Sequence, residues 1–170
     1  MEIREEIAED FAAIYEINEA AFGRPDESLL VVRLRSRKAI IHSLVAGLNG
    51  ELIGHALFSP VMIHGDSGVV TVACGLGPVA VLPAYQKQGI GSALTTTGIE
   101  LCREAGYRAM IVLGHPSYYP RFGFQPASRF NISCAYDDVP DDAFMALGLE
   151  EGALETINGM AHYHPEFDGV

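Results

Sequence analysis

Basic side chains are scarce. Against 22 aspartates and glutamates the 170-residue chain sets 11 lysines and arginines, a formal net charge of −11. Nucleic-acid binding needs many cations facing phosphates, so that class of partner is disfavoured. An acidic surface suits a cationic small substrate, but only in a general way. The one basic group, Arg33, Arg35, Arg37 and Lys38, reads as a solvated helix face and its end. Cysteine is sparse as well. Cys74, Cys102 and Cys134 are odd in number and widely spaced, the usage expected of reduced thiols in a cytoplasmic protein. No apolar run approaches the length of a bilayer span, so no membrane partner is expected. The opening MEIREEIAEDF lacks the basic-then-apolar layout of a secretory signal. Repeats, low-complexity tracts and linkers are absent. With 49% hydrophobic residues the length suits a single domain over 1–170 with one buried core.

What is present is an alternation of helical and extended patterns. MEIREE reads as a short strand, and Ile7 to Phe22 as a helix with Phe11, Ile14, Ile17 and Ala21 at helical spacing, stopped by Gly23. Asp26 to Ser36 reads as a second helix. Asn49-Gly50 between two apolar runs signals a hairpin. GVVTVACGLGPVAVL reads as a longer strand interrupted by Gly75, Gly77 and Pro78. Proline cannot donate to a ladder and glycine marks bulges, so this strand is expected to part from a neighbour there. Ile90, Leu94, Thr97, Leu101 and Ala105 form a helical stripe capped by Gly106. YRAMIVL is another strand, GHPSYYPRFGF a turn with a short helix, and strands are expected near Ala143–Leu147 and Gly159–Tyr163. The fold class is mixed α/β, a central mixed sheet with helices on both faces.

The turn VLPAYQKQGIGSAL places Gly89 and Gly91 at the mouth of a helix, where glycine costs about 1 kcal/mol relative to alanine. A strand, Gln86-x-x-Gly89-x-Gly91 and then a helix presents unpaired N–H groups at a positive helix end, which binds phosphate. Lys87 adds a local positive charge. A dinucleotide turn also places glycines between strand and helix, so NAD is the competing ligand. The third glycine of that fingerprint is Leu94 here, and no acidic residue closes the unit.

LGPVAVLPAYQKQGIGSAL resembles the acetyl-CoA motif of the GCN5-related N-acetyltransferases, Gln/Arg-x-x-Gly-x-Gly/Ala. YYPRFGF resembles the tyrosine–Gly-Phe element at the far end of the same fold, and the order of elements matches over nearly the whole chain. VLGHPSYYPRFGF with the ending GALETINGMAHYHPEF is similar to a bacterial subgroup of predicted N-acetyltransferases called YhbS-like. The resemblance implies a twisted sheet with a splayed strand pair, in whose gap the pantetheine of acetyl-CoA lies as a pseudo-strand bonded by Val79, Ala80 and Val81. It implies that the Val79 N–H polarises the thioester carbonyl, an oxyanion-stabilising role. Gln86, Lys87, Gln88, Gly89, Ile90, Gly91 and Ser92 are then the diphosphate wrap. Tyr119, set by Tyr-x-x-x-Gly-Phe with Gly123 and Phe124, supplies the proton for the departing thiolate. Tyr118 is expected to point elsewhere.

The chain departs from the family pattern in three places. Gly75 stands where some members carry a strand glutamate, GHPS is short, and His115 replaces an acidic residue. Glu27, beside a helix start near the acceptor side, is the candidate general base; the alternative for it is an acid favoured by the helix dipole. His162 and His164 alternate, yet no carboxylate or thiol stands at a matching spacing, and no metal is expected. Cys74 as an acetylated nucleophile is weighed against a small buried residue.

Two function classes stand. One is an acetyl-CoA-dependent N-acetyltransferase acting by direct attack of a primary amine in a ternary complex. The other is a non-catalytic acyl-CoA-binding or regulatory module. The acceptor class, a small-molecule amine or a protein amine, is left open, as is assembly into a homodimer.

Overall fold

The computed structural model describes residues 1–170. Strand β1 (Glu2–Glu5) leads through a 3₁₀ turn at Ala8–Asp10 into helices α1 (Phe11–Phe22) and α2 (Asp26–Ser36). Three strands follow, β2 (His42–Leu48), β3 (Glu51–His64) and β4 (Val70–Val81), then helix α3 (Ile90–Glu104) and strand β5 (Ala109–Leu113). The C-terminal part holds β6 (Gln125–Pro126), β7 (Ile132–Cys134), β8 (Phe144–Gly148), the short helix α4 (Ala153–Thr156) and β9 (Gly159–Tyr163).

All nine strands join one mixed sheet, running β1-β2-β3-β4-β5-β8-β6, with β9 against the far end of β3 and β7 beside β9. The β4–β5 and β7–β9 pairs are parallel and the others antiparallel. Asn49 and Gly50 both take positive φ, 52° and 83°, as a tight primed hairpin turn demands.

Strand alternation sorts the core to two sides. Met110 and Val112 of β5 join Cys74 and Leu76 in the cluster under α3. Ala109 and Ile111 join Val61, Ile63 and Phe144 on the other side. There α1 and α2 cover the β2–β3 end through Ile14, Leu30, Val31 and Leu34 against Val45 and Leu57. Helix α3 sits close because of Gly98, where a Cβ would run into the Phe58 ring. Tertiary packing therefore holds its Thr95–Thr97 run, with Thr95 fully buried.

Several expectations need correction. The first helix begins at Phe11, because residues 8–10 form a tighter turn braced by the Ile7 N–H donating to Asp10 Oδ2 at 2.8 Å. The short helix in GHPSYYPRFGF is one 3₁₀ turn, Tyr119–Phe122. Strands β6 and β7 and helix α4 lay outside the sequence reading, since two to four residues are too few to show periodicity. The basic group is not simply solvated. Arg35 pairs bidentately with Glu6 at 3.0 and 2.8 Å and lies 3.8 Å over the Phe11 ring, while Arg33 and Arg37 both hold Glu166.

Buried polar groups are knitted together behind β3. Asn18 Nδ2 donates to the Ile14 carbonyl and lies 3.0 Å from His55 Nδ1. His55 Nε2 lies 2.9 Å from Ser43 Oγ, which in turn donates to Glu6 Oε2. The Asn18 amide nitrogen can only donate, and Ser43 Oγ, its proton given to Glu6, can only accept, so the ring accepts at Nδ1 and donates from Nε2 to Ser43 Oγ. Burial pushes the fully enclosed His55 down to about 4, so it is neutral.

Candidate active site

The ladder between β4 and β5 pairs Cys74, Gly75 and Leu76 with Met110, Ile111 and Val112, and there it stops. Strand β4 continues to Val81 against β3, with a register shift between Ala56 and Phe58. The parting falls at Gly77, whose φ is +132°, and at Pro78, which has no donor. The next N–H beyond the strand, that of Leu82, donates to the Ile53 carbonyl on β3 at 2.9 Å. Donors alternate edges along a strand. The N–H groups of Val79 and Val81 therefore face the edge that β5 has vacated. Ala80, expected to act with them, turns its backbone toward β3 and buries its side chain.

At the end of this edge a 3₁₀ turn (Pro83–Tyr85) leads into the glycine loop. Lys87 (φ 62°) and Gly89 (φ 85°) take left-handed conformations before α3 begins. Gln86 Nε2 donates to the Val81 carbonyl at 3.0 Å and Gln88 Nε2 to the Ala84 carbonyl at 3.3 Å. Both glutamine side chains thus brace the loop. The N–H groups of Lys87 and Gln88 meet no backbone acceptor, and the first-turn donors of α3 have none within the helix. At Gly91 a Cβ would lie 3.3 Å from Tyr118 Oη, which also lies 3.1 Å from Ser92 Oγ. Arg121 stacks its guanidinium 4.3 Å over the Tyr118 ring. A cavity of about 710 Å³ runs along Val79, Val81, Gln86, Lys87, Gly89, Ile90, Gly91 and Ser92, with Tyr118, Tyr119 and Arg121 opposite. Gln88 is not on its wall.

A second cavity, of about 540 Å³, shares Phe22, Val79, His115 and Tyr119 with the first. Together they form one cleft through the splay. Tyr119 stands at the junction, where glycine at 114 makes room: a Cβ there would overlap the phenol ring. Its edge packs on Tyr118 at 5.0 Å, and burial, with Tyr118 beside it, pushes the phenol up to about 12. Both tyrosines line the glycine-loop cavity, and Tyr119 alone reaches the second one as well. Glu27, 6% exposed, is the one carboxylate in the second cavity's wall. Arg24 engages both its oxygens, Nη2 to Oε1 at 2.5 Å and Nε to Oε2 at 3.2 Å.

The other singled-out residues lie elsewhere. Cys74 is fully buried beside Cys102 and lines neither cavity, and the hydrogen bond with Cys102, together with burial, pushes its thiol up. His162 packs edge-on against His64 at 5.0 Å, while His164 Nδ1 accepts from the Glu166 N–H at 3.2 Å. No group of three or more His, Cys, Asp or Glu side chains could hold a metal ion.

The structure adds residues that sequence reasoning passed over. Arg121 is the second cation of the glycine-loop cavity, and its signal was its place inside YYPRFGF. Phe22 joins both cavities from the last turn of α1 and carried no signal beyond helical spacing. Tyr136, Tyr163 and Phe167 close the second cavity from a region whose pairing the sequence does not display.

A splayed parallel pair with a glycine loop opening a helix at its mouth is the arrangement the resemblance implied, and the chain belongs to the GNAT acetyltransferases. The family model for the acetyltransferase (GNAT) domain matches residues 2–127. The chain is 33% identical over 169 residues, 99% of both proteins, to the N-acetyltransferase YhbS of Escherichia coli strain K12. It superposes on the crystal structure of Escherichia coli YhbS in complex with CoA with a TM-score of 0.91, covering 98% of this chain and 91% of that one. A GNAT family acetyltransferase from Brucella melitensis, in complex with acetyl-CoA, is 38% identical with a TM-score of 0.80, covering 98% and 97%.

Proposed function

We propose that this chain is a single-domain cytoplasmic enzyme that transfers acetyl from acetyl-CoA to a primary amine by direct attack in a ternary complex. The observation that carries the reading is the continuous cleft through the splay, with donors at one end, Tyr119 at the junction and Glu27 at the other end. The residues fit the donor. The Val79 and Val81 N–H groups offer ladder partners to a pantetheine amide, the loop at 86–92 offers free N–H groups, and Gly91 leaves room for phosphate. Lys87 and Arg121 supply the cations. Bound acetyl-CoA supplies an activated thioester carbonyl.

Val79 then holds its N–H toward the carbonyl oxygen, where negative charge develops, and stabilises it. Tyr119 keeps its proton across the physiological range because its phenol is pushed up to about 12. It donates that proton toward sulfur as the C–S bond breaks and the pair leaves with the thiolate. The new bond is C–N. The proton shed by nitrogen is taken at Glu27, whose carboxylate oxygens keep lone pairs beyond their bonds to Arg24. Phe22 and Leu30 give the acceptor side part of its apolar wall.

Support for direct attack also comes from Cys74, which has no access to the cleft. The free, buried thiols of Cys74 and Cys102 suit a reducing compartment, and no helix is long and apolar enough to cross a membrane. The test is thiol release from acetyl-CoA across a panel of primary amines, beside calorimetric CoA binding. CoA binding without transfer to any amine would leave the non-catalytic module as the better reading.

A further inference from the structure

The acceptor end of the cleft has a composition that selects among amines. Five aromatic side chains, Phe22, Tyr119, Tyr136, Tyr163 and Phe167, line it, and Glu27 is its single carboxylate. Tyr136 and Tyr163 stack with centroids 5.9 Å apart and planes 17° apart, and Phe167 tilts against Tyr163 at 5.2 Å. Rings present flat apolar faces that suit another ring. The Tyr163 hydroxyl is buried and has no hydrogen-bond partner. Leaving a hydroxyl dry and unpaired is costly, and a ligand that brings a partner recovers that cost.

Gly75 belongs to the same construction. A Cβ there would fall 2.6 Å from Val61 Cγ2 and 3.5 Å from Tyr163 Cε1. The missing strand glutamate is thus explained by space, because Val61 of β3 occupies the position a Cβ would take, with the Tyr163 ring in contact beside it.

We propose that the acceptor is a small arylalkylamine, a primary amine on an aromatic arm whose ring carries one hydrogen-bonding group read by Tyr163. The proposal rests on the acetyl-transfer reading above and narrows it. The amine nitrogen reaches the thioester while its ring lies among the tyrosines. A polyamine is disfavoured because the wall of this cavity offers its further ammonium groups no second carboxylate, and Glu27 is already paired with Arg24. A peptide is disfavoured because residues 164–170 cross the site. Arg33 and Arg37 hold Glu166 at 3.1 and 3.0 Å, and Tyr136 Oη donates to Asp168 Oδ1 at 3.1 Å, which fixes Phe167 and Val170 against the cavity.

The experiment measures thiol release at saturating acetyl-CoA with tyramine, phenethylamine, spermidine and a lysine-containing peptide. The thermal shift by each amine in the presence of CoA is recorded alongside. Tyramine and phenethylamine are expected to exceed spermidine and the peptide in kcat/KM by roughly 100-fold, the scale on which an apolar pocket discriminates. They alone should raise the melting temperature further. In Tyr163→Phe the ratio of kcat/KM for tyramine over phenethylamine should fall about tenfold, the worth of one hydrogen bond. Preference for spermidine or the peptide overturns this proposal and leaves the acetyltransferase standing. An unchanged ratio in Tyr163→Phe overturns the role of that hydroxyl. Failure of every amine in a protein that still binds CoA overturns the transfer reading, and this proposal with it.

Discussion

Gly91 offers the sharpest perturbation of the donor site. It lies in the first turn of α3 with an ordinary helical φ, so a larger residue carries no backbone strain. A Cβ there would lie 3.3 Å from Tyr118 Oη, 3.8 Å from Val79 Cγ1 and 3.9 Å from Val81 Cγ2, so one methyl fits with a small shift of the phenol. Gly91→Ala should therefore keep the thermal midpoint or raise it, since alanine is favoured over glycine in a helix by about 1 kcal/mol. Anything longer must enter the cleft. In Gly91→Glu the carboxylate would stand about 6 Å from a phosphate held by the loop, a repulsion of about 0.7–3 kcal/mol per charge pair for effective dielectrics of about 80 down to 20. CoA affinity should fall roughly 3- to 100-fold, most steeply at low ionic strength. Isothermal titration with CoA at two salt concentrations, beside a thermal melt of each variant, reads both quantities. A folded Gly91→Glu protein with wild-type CoA affinity would show that phosphates do not lie on this loop.

The remaining predictions test the chemistry and the frame. Tyr119→Phe keeps the ring and removes the proton donor, so CoA affinity should hold while kcat with a true acceptor falls about 10- to 100-fold; an unaltered kcat would remove Tyr119 from the mechanism. Cys74→Ala should do far less, and loss of turnover there would point to an acetyl-enzyme. CoA should raise the melting temperature by mass action and NAD at equal concentration should not; stabilisation by NAD alone would mean a dinucleotide site. His55 is held at about 4 in the fold against about 6.5 when unfolded. The unfolded state therefore gains a proton first as pH falls, and stability present above pH ~6.5 should decline toward pH ~4 by about 3 kcal/mol. Urea denaturation at pH 7.5 and 5.0 checks this, and His55→Gln should flatten the dependence.

What the sequence determined by itself is what local physics encodes. Asn49-Gly50 specified its hairpin because few residue pairs accept two positive φ values. Gly75, Gly77 and Pro78 marked the stretch in which β4 leaves β5, because proline withholds a donor wherever it sits, though Gly75 itself still pairs with Ile111. Gly89 and Gly91 marked the loop before α3 because glycine inside a helix start is costly without a reason. The spacing of YYPRFGF singled out Tyr119 through family resemblance. Tertiary structure alone decided the rest, since it depends on residues far apart in the chain. The edge to which the Val79 N–H turns, and Ala80 does not, follows from β3 register. The neutral tautomer of His55 follows from Asn18 and Ser43 closing around it. The absence of a side chain at 75 follows from Val61 on the neighbouring strand, whose Cγ2 lies 2.6 Å from where a Cβ would stand. The aromatic wall draws Phe22, Tyr119 and Phe167 from three separate parts of the chain. No local pattern announces such a wall, because its members have no spacing in common, and Tyr163 joins it only when β9 pairs with β3.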